Sequence, residues 1–398
     1  MAEKKKVFQI NSTYGLGSTG RIVEGLSKVL SENGYECMAA YGRGQALKEK
    51  GLYFIGSSTG VYIHGGLSRI TDNHGGYSKM ATKRLITKMK KFDPDIIHLH
   101  NLHGYYLNLK LLFEYLKTCE KKIIWTLHDC FAFTGHCTHF EYIGCQKWQK
   151  KCHHCEQKGE YPKSILGDRS KKNYKEKKEW FTKIPNLTIV TPSFWLSQKV
   201  KQSFLQEYPV VVIPNGIDLD VFRPAPKEKK DKFVILGVAN PWRERKGYGE
   251  YKKLIGIISD YYEVTMVGLK ESQLRELPRG VRTIGKTDQI EELVSYYSNA
   301  DILVDLTFED TFPTTHLESL ACGTPVLTYT SGGSKEMLDE TCGIAVPRGN
   351  LQGVMAALEK VRRENPFTRE ACRKKALAYD QTERFYEYVW KVYQEMRS

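Results

Sequence analysis

Short apolar runs that alternate with helix-like patterns limit the fold of this chain more than any other feature. Residues 6–10 (KVFQI) have the character of a buried strand, and a glycine-rich turn and an amphipathic pattern over residues 22–29 follow them. The alternation begins again at residues 233–238. Because such alternation is typical of parallel sheets covered by helices, the sequence predicts an α/β protein with two doubly wound, Rossmann-like sheets. Further strands are expected at residues 37–41, 96–100, 123–128, 187–190, 210–213, 264–267, 302–306 and 326–329.

The join between the two patterns predicts the domain boundaries. Residues 219–231 contain two prolines and a run of charges, a composition that suits an exposed linker. We expect a first domain over residues 1–218, a second over residues 232–380 and a C-terminal helix over residues 381–398. Hydrophobic residues make up 41% of the 398 residues, which excludes a mainly disordered chain. No apolar run approaches the roughly 18 residues of a membrane helix, so we expect a cytoplasmic protein.

Basic residues are concentrated in the first part of the chain. Residues 1–215 contain 33 Lys and Arg against 18 Asp and Glu, whereas the rest of the chain is close to neutral. Residues 79–91 (KMATKRLITKMKK) are the densest basic segment and form a basic amphipathic pattern, and residues 163–183 form a second basic segment. The helix expected over residues 79–91 either packs on the sheet with a solvated outer face or binds an anionic lipid surface, and both roles are compatible. The charge therefore favours peripheral attachment to the inner face of the cytoplasmic membrane.

The glycine turn at residues 15–20 (GLGSTG) matches a dinucleotide-binding fingerprint, because it follows a strand and opens a helix. A dinucleotide site also needs an acidic residue about 20 positions later, but the second strand ends in YGRG, with Arg43 and no acid. NAD binding is therefore disfavoured. The turn either lets the backbone approach a ligand between the domains or is a tight turn only.

The segment 308–326 (FEDTFPTTHLESLACGTPV) carries the strongest chemical signal. Asp310 and Glu318 are eight residues apart, and Pro313 between them is placed where a helix can start. Asp310 is then in the loop and Glu318 on the second helical turn, so that one pocket can use both carboxylates. The amides near Phe312 and Thr314 are free at the start of such a helix and can bind a diphosphate.

A basic loop precedes this segment in the second domain. Arg243, Arg245 and Lys246 follow the first strand there in the run NPWRERKG, and a glycine turn, SGG, follows the strand at residues 326–329. Cations at strand ends can neutralise phosphate. Each feature alone is also explained by a capped helix or a solvated loop, but together they predict a nucleotide-diphosphate site.

Five cysteines fall within the predicted insertion at residues 130–156. A reduced cytoplasmic protein can use such thiols to bind structural zinc, with nearby histidines as spare ligands, or can leave them free. The expected zinc ligands are Cys137, Cys145, Cys152 and Cys155. The cluster and a pI near 9.1 also allow a zinc-bearing, basic nucleic-acid-binding protein, but the single Cys-x2-Cys and the neutral second domain argue against nucleic acid as a partner.

The motifs together resemble those of GT-B glycosyltransferases of family 4, in the branch that builds bacterial exopolysaccharide, capsule and O-antigen. The resemblance covers essentially the whole chain. The motifs that carry it are STYGLGSTGR, HLHNLHGYYLN, TLHD, VTPS, IPNGID, RKG, the acid-pair segment and SGG.

The resemblance implies two Rossmann-like domains that face a cleft, with a C-terminal helix that crosses back to the first domain. It implies retaining transfer of a sugar from a nucleotide-diphosphate sugar to a lipid-linked or oligosaccharide acceptor, without a catalytic metal. Lys246 is expected to hold the diphosphate, Glu318 the ribose, and Asp310 and His128 the donor sugar. The donor side is expected to comprise Gly15, Gly17, Arg243, Arg245, Lys246, Asp310, Phe312, Pro313, Thr314 and Glu318. The acceptor or sugar side is expected to comprise His100, His103, His128 and Asp129.

The chain departs from the family pattern at two positions. Asp310 stands where glutamate is usual, and Ala239 or Asn240 replaces an arginine that usually ends the strand before RKG. Arg243 or Arg245 is expected to substitute for that arginine. An alternative, a metal-dependent transferase that uses Asp218 and Asp220 as an Asp-x-Asp pair, is disfavoured because the pair stands just before the linker.

Overall fold

The structure, a computed structural model, describes residues 4–278, 280–287 and 289–394. The chain forms two compact units: unit 1 contains Met1–Ile213 and Phe385–Ser398, and unit 2 contains Pro214–Arg384. Each unit has one parallel sheet, so the predicted α/β class with two Rossmann-like sheets is confirmed. Among the described helices, none combines the length and the apolar character that a membrane-spanning helix needs.

Unit 1 is built on a seven-stranded sheet in the order β3-β2-β1-β4-β5-β6-β7. Its strands are β1 (Lys6–Asn11), β2 (Glu36–Tyr41), β3 (Leu52–Phe54), β4 (Ile96–Leu99), β5 (Lys122–Thr126), β6 (Leu187–Thr191) and β7 (Val210–Val212). Its helices are α1 (Gly17–Glu32), α2 (Ser58–Thr71), α3 (Lys79–Phe92), α4 (Leu109–Leu116), α5 (Ser170–Phe181) and α6 (Phe194–Lys201). The strand order reverses beside β1, which creates a crevice at the carboxyl ends of β1 and β4.

The sheet of unit 1 is buried on both faces. Neighbouring residues of a strand point to opposite faces, so Phe8 packs with Leu85 and Phe113, whereas Val7 packs with Leu26 in a separate cluster. Both faces therefore exclude water, which explains why these strands are continuous apolar runs in the sequence.

Unit 2 repeats this topology with a six-stranded sheet in the order β10-β9-β8-β11-β12-β13. Its strands are β8 (Phe233–Val238), β9 (Tyr262–Val267), β10 (Arg282–Ile284), β11 (Ile302–Asp305), β12 (Val326–Tyr329) and β13 (Gly343–Val346). Its helices are α7 (Tyr248–Ile257), α8 (Glu271–Leu274), α9 (Ile290–Asn299), α10 (Thr314–Ala321), α11 (Leu351–Glu364) and α12 (Arg369–Leu377). The order reverses between β8 and β11, which places a crevice at their carboxyl ends.

Most of residues 219–231, the expected exposed linker, are exposed, but the start of this segment is held against unit 2. The Arg373 guanidinium donates hydrogen bonds to the carbonyls of Leu219, at 2.8 Å, and Phe222, at 2.5 Å. Phe222 is buried in the core of unit 2. The chain enters unit 2 at Pro214, earlier than the expected linker.

The end of the chain returns to unit 1. Within the helix expected over residues 381–398, helix α13 (Gln381–Glu387) continues into a π-helical turn, Tyr388–Tyr393. Residues 395–398 of that expected helix lie outside the described residues. Val389 and Tyr393 are buried in the cluster that contains Val7, and the Tyr393 hydroxyl lies 2.6 Å from His98 Nδ1. The expected return to the first domain is therefore confirmed.

Candidate functional site

In unit 2, three loops of the predicted site follow neighbouring strands. The RKG loop follows β8, the acid-pair segment follows β11 and the SGG loop follows β12. Because β8, β11 and β12 are adjacent and parallel, all three loops emerge at one edge of the sheet. The sequence-predicted donor residues of unit 2 are therefore brought to the position where doubly wound sheets bind ligands.

Lys246 and Asp310 form an ion pair at this edge. Lys246 ends a short 3-10 turn, Glu244–Lys246, and its Nζ donates to Asp310 Oδ2. Asp310 Oδ1 accepts a second hydrogen bond, 3.1 Å long, from the backbone N–H of Phe312. The two side chains are 24% and 19% exposed, so a ligand can reach both. The pair presents a cation that a phosphate can recruit and an acceptor that a hydroxyl can use.

Two glycines hold the loops of this pair close together. Gly247 has φ +80°, and a Cβ there would collide with the Leu306 carbonyl. Gly332 has φ +54°, and a Cβ there would collide with the Asp310 carbonyl. That carbonyl also accepts a hydrogen bond from Gly333 N–H, at 3.0 Å. The glycines of RKG and SGG are thus required by close backbone approach on either side of the ion pair.

Glu318 lies on the second turn of α10, as the sequence predicts. Pro313 is the N-cap of this helix, and its first turn contains no acidic residue. The buried Tyr297 hydroxyl donates a 2.7 Å hydrogen bond to Glu318 Oε2. Burial, together with the neighbouring carboxylate, raises the pKa of Tyr297, which keeps the hydroxyl protonated as a donor. Tyr297 was not among the residues expected in the site, because it precedes Glu318 by 21 residues.

The two arginines of the basic loop have different environments. Arg245 Nη1 lies 3.8 Å from Oε1 of Glu309, a carboxylate that is only 2% exposed. Arg243 is exposed, and its carbonyl accepts the N–H of Lys246 at 2.9 Å. Glu309 was also absent from the residues expected in the site, although its neighbour Asp310 was among them. Arg245 is thus drawn toward a buried acid, whereas Arg243 faces solvent.

In unit 1, the glycine turn joins β1 to α1. Gly15 and Gly17 both have φ +67°, and Gly15 N–H donates to the Gly20 carbonyl at 3.0 Å. Helix α1 begins without a side-chain cap and without an acidic residue in its first turn. Its amide dipoles are therefore available to an anion at the carboxyl end of β1.

Two neutral histidines lie beside this turn, at the ends of β4 and β5. The rings of His100 and His128 are stacked, with His100 Nδ1 3.3 Å from His128 Nε2. His100 Nε2 lies 3.2 Å from Gln9 Oε1. Burial lowers the pKa of His128 to about 4 and that of His100 well below its usual range. Both rings are therefore uncharged at neutral pH and serve as hydrogen-bonding groups.

His103 and Asp129 form a second pair nearby, with His103 Nε2 2.7 Å from Asp129 Oδ2. Burial opposes ionisation of Asp129, but the charge of His103 and the hydrogen bonds from His103 and from Phe131 N–H lower its pKa to about 2. The other ring nitrogen of His103 lies 3.0 Å from the Tyr161 hydroxyl. The four residues expected on the acceptor or sugar side thus form two adjoining polar pairs in unit 1.

The cysteine-rich insertion brings several thiols near one another. Cys155 accepts a hydrogen bond from Cys137, and its pKa is lowered to about 7, while burial raises the pKa of Cys152 to about 12. Tetrahedral zinc with four thiolates needs sulfur atoms about 3.8 Å apart. Within residues 4–278, 280–287 and 289–394, no three of the four expected sulfur atoms lie within 4.8 Å of one another. Zinc binding by Cys137, Cys145, Cys152 and Cys155 remains a prediction.

The disfavoured Asp-x-Asp pair has a local structural role. Asp218 Oδ1 accepts the backbone N–H groups of Asp220 and Val221, both at 3.1 Å. A side chain that closes its own turn in this way needs no metal to explain it. The geometry gives the metal-dependent alternative no support.

Two family descriptions match the chain, and together they cover most of it. "Glycosyltransferase Family 4" matches residues 19–221, about half of the chain, and "Glycosyl transferases group 1" matches residues 232–364. The first match begins near the end of the glycine turn and contains the histidine pairs, and the second contains Lys246, Asp310 and Glu318.

Curated relatives match over part of their length. WcaC of Escherichia coli (strain K12), whose name assigns it as a glycosyl transferase to colanic acid biosynthesis, is 28% identical over 273 residues, which are 64% of this chain and 64% of WcaC. A D-inositol 3-phosphate glycosyltransferase of Paenarthrobacter aurescens is 31% identical over 158 residues, 34% of this chain and 38% of that protein. The matches thus span less than two thirds of these relatives.

Solved structures match the whole fold at low sequence identity. Sucrose-phosphate synthase of Thermosynechococcus elongatus has a TM-score of 0.71 at 15% identity, with 99% of each chain covered. Alr3699/HepE of Anabaena, solved with UDP-glucose, has a TM-score of 0.66 at 12% identity over 98% of this chain and 99% of its own. At such identities the likeness shows the fold alone, which is that of GT-B glycosyltransferases. With the family match over residues 19–221, the chain belongs to glycosyltransferase family 4.

Proposed function

We propose that this protein is a retaining glycosyltransferase that moves a sugar from a nucleotide-diphosphate sugar to a lipid-linked or oligosaccharide acceptor in cell-surface polysaccharide synthesis. The observation that carries the donor site is the Lys246–Asp310 pair at the strand-order reversal of unit 2, with Glu318 on the helix that follows Asp310. The polysaccharide role is supported by the name of WcaC, and a nucleotide-sugar donor by the UDP-glucose in Alr3699/HepE.

The proposed role of Lys246 is to stabilise the nucleoside diphosphate as it leaves the donor sugar. When a nucleoside diphosphate leaves the sugar, negative charge builds on the leaving oxygen, and preorganised cations and helix-start amides stabilise it. Lys246 is available for this role because its ammonium already lies in the crevice, held by Asp310. Helix α10 begins four residues after Asp310 without a side-chain cap, and its first turn supplies the amides. The proposed site therefore stabilises the leaving group without a catalytic metal.

The carboxylates have separate roles in this proposal. Glu318 accepts hydrogen bonds from ribose hydroxyls, oriented by Tyr297, while Asp310 accepts one from a hydroxyl of the donor sugar. In unit 1, burial lowers the pKa of His128 to about 4, so this ring is a neutral hydrogen-bonding group that suits a sugar hydroxyl. In the proposed reaction the acceptor hydroxyl attacks the anomeric carbon on the face that the diphosphate leaves. The leaving phosphate oxygen takes the hydroxyl proton, so that the configuration is retained.

The surface of unit 1 supports a peripheral membrane location on the cytoplasmic side. In α3, Leu85 and Met89 are buried, whereas Lys83, Arg84 and the last-turn lysines remain outside. The neighbouring helix α2, joined to α3 by a 2.8 Å hydrogen bond between His64 and Ser78, exposes an apolar set. The exposed apolar side chains of this region are Tyr62, Ile63, Leu67, Ile70 and Met80. Exposed apolar side chains beside lysines suit an anionic lipid surface and an acceptor carried by a lipid.

Nucleotide binding tests the proposed donor site directly. UDP, ADP and GDP, each alone and as a nucleotide sugar, are screened for their effect on the melting temperature, because only compounds that bind the folded state raise it. We expect one nucleotide series to stabilise the wild-type protein and to lose this effect in Glu318→Ala. Anomeric configuration of the product, determined by NMR, then tests retention. A protein that no nucleotide stabilises, or a product of inverted configuration, would contradict the proposal.

A further inference from the structure

A buried cluster outside the proposed catalytic site contains three metal-binding side chains. Asp72 Oδ1 lies 2.6 Å from His74 Nε2 and 2.7 Å from His136 Nδ1, and the two nitrogens are 3.3 Å apart. All three residues are buried. Among the parts of the chain that the structure describes, this is the one set of three His, Cys, Asp or Glu donor atoms that lie within 4.8 Å of one another.

The surrounding backbone fixes Asp72 at the centre of the cluster. Asp72 ends α2 in the left-handed conformation, with φ 56°. Its second carboxylate oxygen accepts the backbone N–H of Arg169 at 2.7 Å, and its carbonyl accepts the Asn173 side-chain amide at 2.7 Å. Oδ1 is thereby left to face the two imidazoles. Outer hydrogen bonds of this kind are what orient a carboxylate that binds a metal.

The charge of Asp72 is poorly compensated by the protein alone. The carboxylate and the two imidazoles are buried and contact one another directly. The buried Lys177 ammonium donates to the carbonyls of Phe131 and Thr134, at 2.7 and 3.1 Å, rather than to Asp72. A buried carboxylate is costly unless a cation pairs with it.

The donor atoms of the cluster also have the spacing that one ion requires. Three donor atoms that are 2.6–3.3 Å apart can all contact one ion at the roughly 2.1 Å typical of zinc with nitrogen and oxygen ligands.

We propose that Asp72, His74 and His136 bind one divalent transition-metal ion of the zinc type, at a site separate from the thiols. Two imidazoles and one carboxylate suit zinc and its first-row neighbours better than calcium or magnesium, which prefer oxygen ligands alone. The ion fastens the cysteine-rich insertion, through His136, to the end of α2, through Asp72.

The position of the ion gives it a route to the acceptor side of unit 1. The His74 ring lies 6.1 Å from that of Tyr105, which lies 6.2 Å from that of Tyr161. The Tyr161 hydroxyl in turn contacts His103. The metal is therefore a structural support for the His103–Asp129 pair rather than a reactant.

Cobalt substitution tests the site in the full-length protein. The protein is stripped with a chelator, refilled with Co²⁺ and compared among wild type, His74→Gln and His64→Gln. His64 is the matched control, since it is also buried but contacts Ser78 and the His74 carbonyl rather than Asp72. We expect wild type and His64→Gln to bind an equivalent of Co²⁺ that shows ligand-field absorption without a thiolate charge-transfer band. His74→Gln should weaken that equivalent by at least about tenfold, the scale on which even outer partners alter metal affinity.

Crystallography provides a readout that does not depend on variant folding. Wild-type crystals grown with Zn²⁺ should show an anomalous peak at the zinc edge between the three side chains. Absence of this peak would overturn the proposal, as would unchanged Co²⁺ affinity in His74→Gln. Equal loss in His64→Gln would also overturn it, because the effect would then reflect general damage to this region.

Discussion

The Lys246–Asp310 pair gives the sharpest test of the proposed donor site, through the substitution Lys246→Met. Methionine keeps most of the length and apolar volume of lysine but removes the ammonium. Both side chains are about one fifth to one quarter exposed, so the ion pair is screened by solvent. Loss of such a pair changes the free energy of unfolding by about 1 kcal/mol or less. The variant should therefore fold.

Ligand binding should respond much more strongly than folding. A hydrogen bond to a charged group contributes about 1.5–3 kcal/mol, and about 1.4 kcal/mol corresponds to a factor of ten. The affinity for UDP, or for whichever nucleoside diphosphate stabilises wild type, should therefore fall by roughly 10- to 150-fold in Lys246→Met. Asp310, left without the ammonium, adds repulsion toward the diphosphate.

The double variant Lys246→Met/Asp310→Asn separates these two effects. If Asp310 repels the diphosphate once Lys246 is absent, the double variant should bind the diphosphate more tightly than Lys246→Met alone. Binding is measured by isothermal titration calorimetry at constant ionic strength, since salt screens the charges. Lys252→Met is the control, because this lysine is exposed on α7 of the same unit and lies over the Tyr248 ring. Wild-type affinity in Lys246→Met, or an equal loss in Lys252→Met, would refute the assignment of Lys246 to the diphosphate.

Other parts of the molecule lead to further expectations. Glu318→Ala should abolish transfer. Tyr297→Phe removes the 2.7 Å hydrogen bond to Glu318 and should raise the donor KM about tenfold or more. Unchanged kinetics in Tyr297→Phe would argue against the positioning of Glu318 by Tyr297. Purified protein should contain one zinc ion bound by four thiolates, those of Cys137, Cys145, Cys152 and Cys155. Zinc-free protein in which these four thiols titrate freely would contradict this prediction. Binding to lipid vesicles should need anionic lipid and should fall as the salt concentration rises. It should also weaken when five basic residues of α3 are replaced by glutamine, namely Lys83, Arg84, Lys88, Lys90 and Lys91. Unchanged binding in this variant would mean that α3 only packs on the sheet. Burial lowers the pKa of four histidines of unit 1, namely His64, His98, His100 and His128. Below about pH 6.5 the unfolded chain therefore binds more protons than the folded protein, and the free energy of unfolding should fall by up to about 1.4 kcal/mol per pH unit for each histidine. Hydrogen exchange in unit 1 that is as slow at pH 5 as at pH 7, after correction for intrinsic rates, would contradict this.

The sequence predicts the central strands well because they are buried on both faces. Strands such as β4, β5 and β12 are continuous apolar runs, and the structure places them within one or two residues of the expected bounds. The strands that were missed, β3, β10 and β13, contain only three or four residues each and are partly exposed. Short strands of this kind take their conformation from the neighbouring strand, so local sequence gives little signal.

In the candidate site, too, the sequence predicts local features but not the contacts between distant residues. Pro313 marks the start of α10, which is enough to place Asp310 in the loop and Glu318 on the second turn. The partner of Glu318, Tyr297, lies on another helix, and only the packing of α9 against α10 brings the two together. The Asp72–His136 contact likewise joins residues 64 positions apart. Contacts between side chains on separate elements depend on packing that periodicity and spacing do not encode.

The return of the chain to unit 1 after unit 2 has a consequence for synthesis on the ribosome. Val389, Val392 and Tyr393 complete a cluster that begins with Val7, so this part of the first core contains both early and late residues of the chain. All of unit 2 is translated in between, at about 5–20 residues per second. A nascent chain that ends before residue 385 can therefore form the second sheet while one face of the first remains uncovered. During that interval the apolar surface around Val7 and Ile96 is exposed to chaperones and to other nascent chains.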